Sequence, residues 1–277
     1  SAEIAKNFTS ELPIKIIIND VPGYGGARKR CVDTATGNII TFIDADCVAD
    51  GRWIENLIRK FSQKDVMAQA GRIIEVKSLA QIADMLKYAN VEKYDEESII
   101  SFATTMNFAF RRELIDLIGN FDPWFRDGGE DLDFCVRILK AGYKIYYNPS
   151  AIVYHVRHRY SLRKAWRDGE SRARAFIKHK TALLKDATVC FFHFGSLVTA
   201  VALLAMGNYL IGLLVLIPSI AHRMYRLLID LKHGSTVIAG ISRLMLSYVS
   251  YTSFTMTLIS YMIKLVTNKV KGLKTLS

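Results

Sequence analysis

Short apolar runs alternate with segments of helical periodicity over the first two thirds of the chain. Residues 39–43, for example, form a compact apolar run of the kind found in strands buried on both faces, whereas residues 51–61 place their apolar side chains at helical spacing. The predicted strands are residues 14–18, 39–43, 67–76, 102–110, 143–147 and 151–155, and the predicted helices are residues 27–35, 51–61, 78–94 and 134–141. This alternation predicts the α/β class with a mostly parallel, Rossmann-like sheet.

A different pattern follows. Residues 187–221 contain no Asp, Glu, Lys or Arg, so residues 187–206 can cross a bilayer once and residues 209–220 can return if Arg223 and Arg226 snorkel. Residues 244–263 form a third uncharged run, rich in Ser, Thr and Tyr, which suits a helix that faces other protein as much as lipid. Basic residues flank it on both sides, so a third span and a re-entrant or interfacial helix both stay open. We expect a catalytic domain over residues 1–185 and an all-α transmembrane region of two, three or more helices over residues 186–277.

The formal net charge of +11 is compatible with a nucleic-acid or a membrane partner. Its distribution favours the membrane, because basic residues crowd the approach to the first uncharged run and such an excess marks the cytoplasmic side. These residues are Arg157, Arg159, Arg163, Lys164, Arg167, Arg172, Arg174, Lys178, Lys180 and Lys185. No nucleic-acid partner is therefore expected. The four cysteines lack zinc or C-x-x-C spacing, and the first ten residues do not resemble a signal peptide.

Two acidic clusters carry candidate chemistry. Asp44 and Asp46 stand one residue apart at the end of the strand predicted over 39–43, where open α/β sheets place ligands and where oxygen ligands suit Mg²⁺ or Mn²⁺. A solvated turn is the competing interpretation. Glu130, Asp131 and Asp133 follow two glycines at the start of a predicted helix. Helix capping explains one such acid well and three less well.

His155 follows the last predicted strand and is either a structural histidine or a third metal ligand. Arg157 and Arg159 lie close behind it in the sequence. As basic groups, they are suited to neutralise a leaving diphosphate.

The order of these motifs resembles the inverting family-two glycosyltransferases of the GT-A fold. The resemblance covers about residues 2–180 and is carried by Gly25-Gly26-Ala27-Arg28, Phe42-Ile43-Asp44-Ala45-Asp46, Gly119-Asn120-Phe121-Asp122, Gly129-Glu130-Asp131-Leu132-Asp133 and the segment from Pro149 to His155.

The resemblance implies roles for these positions. Asp46 would bind a divalent metal, Mg²⁺ or Mn²⁺, with His155 at the metal or diphosphate, and Asp44 would lie near the nucleotide ribose. Arg28, Arg157 and Arg159 would belong to the donor site. Asp131 would be the catalytic base, and Glu130 would hold the acceptor or its loop.

The chain also departs from the family. The first strand, the nucleotide-binding loop and the second strand of such enzymes have no counterpart here, so we expect an N-terminally truncated copy. Lys29 and Cys31 replace residues that the family often shows after the arginine. The Q-x-x-R-W motif of processive synthases is not reproduced around Trp166, which favours single transfer.

The sequence thus predicts a metal-dependent hexosyltransferase of cell-envelope or glycan biosynthesis. Its partners would be a nucleotide-sugar donor and a membrane lipid acceptor, either a polyprenyl phosphate or a lipid-linked saccharide. It would be a multi-pass protein of the cell membrane with a cytoplasmic catalytic domain. A tethered transferase with a soluble or polymeric acceptor and a non-catalytic membrane partner are the alternatives.

Overall fold

The computed structural model describes residues 2–7, 13–76, 96–156, 161–179, 184–232 and 237–274. The chain divides into two compact units, Ser1–Arg157 and His158–Ser277. The first unit therefore ends before the boundary expected at residue 185. The helix predicted over 78–94 lies outside the described residues.

The first unit is of the α/β class, as predicted. Its strands are β1 (Ile39–Phe42), β2 (Cys47–Ala49), β3 (Ala68–Val76), β4 (Ser98–Ile100), β5 (Phe108–Arg111) and β6 (Ile145–Val156). Its helices are α1 (Ala2–Lys6), α2 (Tyr24–Thr34), α3 (Trp53–Ile58), α4 (Leu114–Ile118) and α5 (Glu130–Lys140), with 3₁₀ turns at Arg59–Ser62 and Thr105–Asn107.

The sheet is mixed, so the predicted mostly parallel sheet is wrong. The strand order is β1-β5-β3-β6-β2, with β4 also paired to β6. Among the described strands only β3 and β6 run parallel, whereas β1–β5, β3–β5, β2–β6 and β4–β6 are antiparallel. A short apolar run fits either direction, because burial on both faces does not encode strand polarity.

The strand predicted over residues 14–18 is also wrong. Residues 13–20 have no regular secondary structure, and Ile18 is 89% exposed. None of the described strands pairs with this run, so its β-branched residues gain neither ladder hydrogen bonds nor burial.

Four packed phenylalanines hold the loop before α5 against the sheet. Phe108 and Phe110 of β5 and Phe134 of α5 are fully buried, and so is Phe121. The rings of Phe121 and Phe134 stack with centroids 4.5 Å apart, and those of Phe110 and Phe134 lie 4.9 Å apart. Each buried ring contributes about 1.5–3 kcal/mol, so this cluster fixes where the acidic start of α5 lies relative to β1.

A bulge interrupts β6. This strand pairs with β3 up to Asn148 and resumes at Ile152, so three residues are looped out. The side-chain amide of Asn107 donates to the carbonyl groups of Arg72 and Ala151, both at 2.8 Å. One buried amide therefore ties the two strands together at the irregularity.

The described part of the second unit is all helical. It consists of α6 (Leu162–His179), α7 (Leu184–Ala205), α8 (Tyr209–Lys232) and α9 (Val237–Lys274). Helices α6 and α9 cross closely: a Cβ atom on Gly169 would lie 2.2 Å from the carbonyl oxygen of Ser250, and Ser253 donates to the carbonyl of Trp166 at 2.7 Å. Ser250, Ser253 and Thr255 are buried, so the Ser/Thr-rich run does face protein.

The expected helical hairpin is present, with a turn at Gly207 (φ +81°) between α7 and α8. In the part of the chain that the structure describes, one segment, Ala187–Ala205, is long and apolar enough to span a membrane, and Tyr209–Tyr225 is a shorter apolar helix. The expectation that Arg223 snorkels is wrong. Its side chain is 6% exposed and lies over the rings of Tyr248 and Tyr251 on α9.

Candidate active site

Arg28 joins the two acidic clusters. Its guanidinium forms an ion pair with the Glu130 carboxylate and lies 3.4 Å from Asp44 Oδ1. The side chains of Arg28 and Glu130 are 14% and 3% exposed, whereas that of Asp44 is 36% exposed. Residues far apart in the sequence thus form one charged network, open to solvent at Asp44.

The glycine-rich turn places Arg28 in this network. Gly23, at φ +96°, precedes α2, and the N–H of Gly25 donates to the carbonyl of Phe125 at 2.9 Å. A Cβ atom at Gly25 would lie 2.2 Å from the carbonyl oxygen of Asp122. These glycines therefore seat α2 directly on the loop of residues 121–129.

The three acids at the start of α5 have three different environments. Gly129 (φ +91°) precedes the helix and has no side chain with which to cap it, and all three acids lie in the first turn. Glu130 faces Arg28. Asp131 accepts the N–H of Leu132 at 2.8 Å and stays partly exposed. Asp133 is fully buried and pairs with Arg137 at 2.7 Å, which makes it structural.

Burial shifts the protonation of both candidate carboxylates. Loss of water raises the pKa of Glu130 to about 7, against the opposing effect of Arg28, and Oε2 of Glu130 is buried without a hydrogen-bond partner among the described residues. Burial likewise raises the pKa of Asp131, although the Leu132 N–H and Arg28 oppose the shift. A carboxylate with a raised pKa is a stronger proton acceptor once it is ionised.

Asp46 meets His155 across the β2–β6 pair. Cys47 is the register partner of His155, and the N–H of Val156 donates to the carbonyl of Asp46 at 3.1 Å. As a result, Oδ2 of Asp46 lies 3.4 Å from Nε2 of His155. Burial and the neighbouring carboxylates raise the pKa of Cys47 to about 11, so its thiol is protonated at neutral pH.

The Asp46–His155 pair fits a divalent ion that takes its other ligands from a substrate. In the described ranges, no group of three or more His, Cys, Asp or Glu side chains is placed to hold a metal. Mg²⁺ commonly binds one or two protein carboxylates and completes its shell with phosphates and water. One carboxylate and one imidazole are compatible with that arrangement.

The structure thus brings together Arg28, Asp44 and Glu130, with Asp131 beside them, and separately Asp46 and His155. Arg157 and Arg159 lie outside the described residues. Sequence reasoning missed two contacts. The resemblance assigned Arg28 to the donor site but did not predict its contacts with Asp44 and Glu130, which no local pattern signals. The Asp133–Arg137 pair could have been predicted from the sequence, because opposite charges four residues apart meet on a helix.

Residues 1–119 match the family described as Glycosyl transferase family 2, and residues 75–188 match the family described as Glycosyltransferase (GlcNAc). The chain is 27% identical over 149 residues to the pre-mycofactocin glycosyltransferase of Mycobacterium tuberculosis, covering 51% of this chain and 31% of that protein. It is 29% identical over 155 residues to the O-antigen chain rhamnosyltransferase RfbN of Salmonella typhimurium, covering 51% and 48% of the two chains.

A third relative is glycosyltransferase AglE of Haloferax volcanii, which is 24% identical over 187 residues, with 65% of this chain and 61% of that protein covered. The matched region therefore spans between 31% and 61% of the length of these relatives. All three are glycosyltransferases by name, and of the three only the name of RfbN states the sugar that is transferred.

Proposed function

We propose that the protein, whose residues 1–119 match the family described as Glycosyl transferase family 2 and whose first unit has a mixed α/β sheet, transfers a sugar from a nucleotide-diphosphate donor to a membrane lipid-linked acceptor, with inversion at the anomeric carbon. The observation that carries this proposal is that Arg28 links Glu130, which stands beside Asp131 at the start of α5, to Asp44 in the acidic turn after β1.

Asp131 is the proposed catalytic base. It is partly exposed and its pKa is raised, so its ionised form can accept the proton of an acceptor hydroxyl. The acceptor oxygen bonds to the anomeric carbon as the bond to the diphosphate oxygen breaks, and the diphosphate departs with the electron pair. A single displacement of this kind inverts the configuration.

Arg28 and Glu130 position this base. Glu130 is held by Arg28 at the first residue of α5, and the same guanidinium reaches Asp44, which we assign to the nucleotide side. The ion pair therefore fixes the start of α5 relative to the end of β1. A change at Arg28 is expected to displace both sides of the site.

Asp46 and His155 would hold a divalent cation, Mg²⁺ or Mn²⁺. When bound, such an ion stabilises the negative charge that develops on a leaving diphosphate. Arg157 and Arg159, which follow β6 in the sequence, are proposed to assist at the same group.

A membrane location is proposed from the surface of the second unit. Large apolar side chains on α7 and α8 are exposed, including Val201 at 57%, Leu210 at 73% and Leu213 at 58%. An apolar surface of this kind needs a cover, and the apolar helix Ala187–Ala205 suits a lipid bilayer. The basic residues before α7 support a cytoplasmic side for the catalytic domain.

Sugar transfer from a panel of labelled nucleotide sugars to extracted membrane lipids tests the proposal. The full-length protein is assayed with Mg²⁺ or Mn²⁺ beside Asp46→Ala, Asp131→Asn and the exposed control Asp116→Asn. Label is expected in lipid with the native protein and the control only. Transfer that survives Asp131→Asn would exclude this base, and no transfer or donor hydrolysis across the panel would favour a non-catalytic membrane partner.

A further inference from the structure

A buried arginine lies among the helices of the second unit with one side of its guanidinium unused. Arg223 of α8 is 6% exposed. Its Nη1 donates to the Ser247 hydroxyl of α9, but Nε and Nη2 are buried and have no hydrogen-bond partner among the described residues. These two nitrogens form one edge of the guanidinium, whose parallel N–H groups grip two oxygens of a phosphate or carboxylate at once.

No described carboxylate neutralises Arg223. Residues 187–277 contain eight Lys and Arg but a single acidic residue. In the preceding helix, Asp168 pairs with Lys164 at 3.0 Å, and Glu170 lies 4.0 Å from Arg174. A buried cation without a counter-charge is costly, so it is retained where it serves a ligand.

A second arginine adds to the positive charge. The guanidinium of Arg172 on α6 lies 5.5 Å from the ring centroid of Tyr251, and that of Arg223 lies 4.2 Å from the same centroid. Arg172 also donates to the Ser250 hydroxyl. Two cations that share one aromatic ring repel each other, and an anion between the helices would relieve that repulsion.

The nearby polar side chains are already satisfied by each other. Nδ1 of His193 lies 2.6 Å from Oγ of Ser219, and that oxygen lies 2.9 Å from the hydroxyl of Tyr248. Nε2 of His193 lies 3.0 Å from Nδ1 of His222. These groups orient the wall of the site and leave the Arg223 edge available.

We propose that the Arg223 edge, supported by Arg172, binds the phosphate of a phosphorylated lipid acceptor. The choice of an acceptor lipid rests on the proposed function, whereas the anion site rests on the geometry alone. Since Nε and Nη2 are buried without ligand, binding must be accompanied by a local separation of side chains between α8 and α9.

The test is binding of farnesyl phosphate to the full-length protein in detergent, measured by thermal shift and by titration calorimetry. Farnesol, inorganic phosphate and phosphatidylglycerol are the comparison ligands. Farnesyl phosphate is expected to raise the Tm of the native protein by several degrees, and Arg223→Met to weaken its apparent Kd about tenfold or more. Arg163→Gln, an exposed position of α6, is the matched control and is expected to bind normally.

Arg223→Met is expected to melt no lower than the native protein without ligand, because it removes a buried charge that has no carboxylate partner among the described residues. If this variant does not fold, Arg172→Gln decides, with an expected loss of threefold or more in affinity. An unchanged Kd in Arg223→Met or Arg172→Gln overturns the site. An equal loss of affinity in Arg163→Gln would indicate that surface charge attracts the ligand, and it would overturn the site. Equal Tm shifts with farnesol or phosphatidylglycerol would overturn the assignment to a phosphorylated acceptor.

The binding assay and the transfer assay together distinguish failure of the anion site from failure of the proposed function. Arg223-dependent binding without transfer from any donor would refute the proposed function and keep the anion site. Normal transfer to a polyprenyl phosphate by Arg223→Met would refute the site and keep the function.

Discussion

Replacing Glu130 with Gln should abolish a pH dependence of stability that burial creates. Glu130 is 2% exposed, and burial raises its pKa from an ordinary 4.5 to about 7. The folded protein therefore binds this proton more tightly than the unfolded chain. The stabilisation is fully present below pH 4.5 and is lost as the pH rises through about 7.

The size of the effect follows from the shift. One pKa unit corresponds to about 1.4 kcal/mol, so the carboxyl group costs the folded state roughly 3 kcal/mol once it is ionised. Gln has a similar shape and does not titrate. The two proteins should therefore be similarly stable at pH 5, whereas the Gln variant should melt roughly 5–10 °C higher than the native protein at pH 8.5.

The assay is thermal unfolding of the full-length protein at a series of pH values. Glu97→Gln is a control in which the effect of pH on stability has the opposite sign. Hydrogen bonding to Lys60 lowers the pKa of Glu97, so this residue stabilises the protein above its ordinary titration range. Identical pH profiles for the native protein and Glu130→Gln would refute the reasoning, since Glu130 would then be ionised as readily in the folded state as in the unfolded chain.

Three further substitutions separate catalysis, metal binding and packing. Asp131→Asn should lower the transfer rate about 10²–10⁴-fold with little change in Tm. Asp133→Asn should lower the free energy of unfolding, measured by denaturant titration, by about 3 kcal/mol because it breaks a buried ion pair. A stability loss in Asp131→Asn together with a loss of activity alone in Asp133→Asn would contradict the assignment. Asp46→Ala should raise the Mn²⁺ concentration for half-maximal activity about tenfold or more, and an unchanged requirement would remove this residue from the metal site. Gly25→Ala should destabilise the protein by roughly 1–3 kcal/mol because the added Cβ atom meets a carbonyl oxygen. Gly51→Ala is the control, since its Cβ atom would have nothing within 4 Å. Equal melting temperatures for the two variants would refute the close packing at Gly25.

The sequence predicted most helices and strands of the first unit but not how the strands pair. The run before Asp44 and the segment that became β3 were recognised from composition and burial pattern. Strand direction depends on which distant segment supplies the hydrogen bonds, and local pattern does not contain that information. The same reason explains residues 14–18, whose composition suits a strand although none of the described strands pairs with them.

The candidate site was predictable as a set of residues and not as a set of contacts. Asp46 and His155 were proposed together and lie 3.4 Å apart. The resemblance placed Arg28 with the donor and did not predict its ion pair with Glu130, which lies 102 positions further along the chain. Contacts over such separations are set by tertiary packing, here by the phenylalanine cluster and the glycine turn, rather than by local spacing.

The bulge in β6 has a consequence for how the chain tolerates insertions and deletions. His155 lies opposite Cys47 in the β2–β6 pair, and upstream of it three residues of β6 are looped out against β3, an odd number in a structure whose side chains alternate faces. If one looped residue is deleted and the strand pairs stay in place, His155 keeps its face of the sheet. If the strand shifts by one residue instead, the side chain of His155 turns away from Asp46. Asn107 fixes the bulge through two hydrogen bonds. The register between β3 and the part of β6 that contains His155 is thus held by the side chain of a residue just before β5.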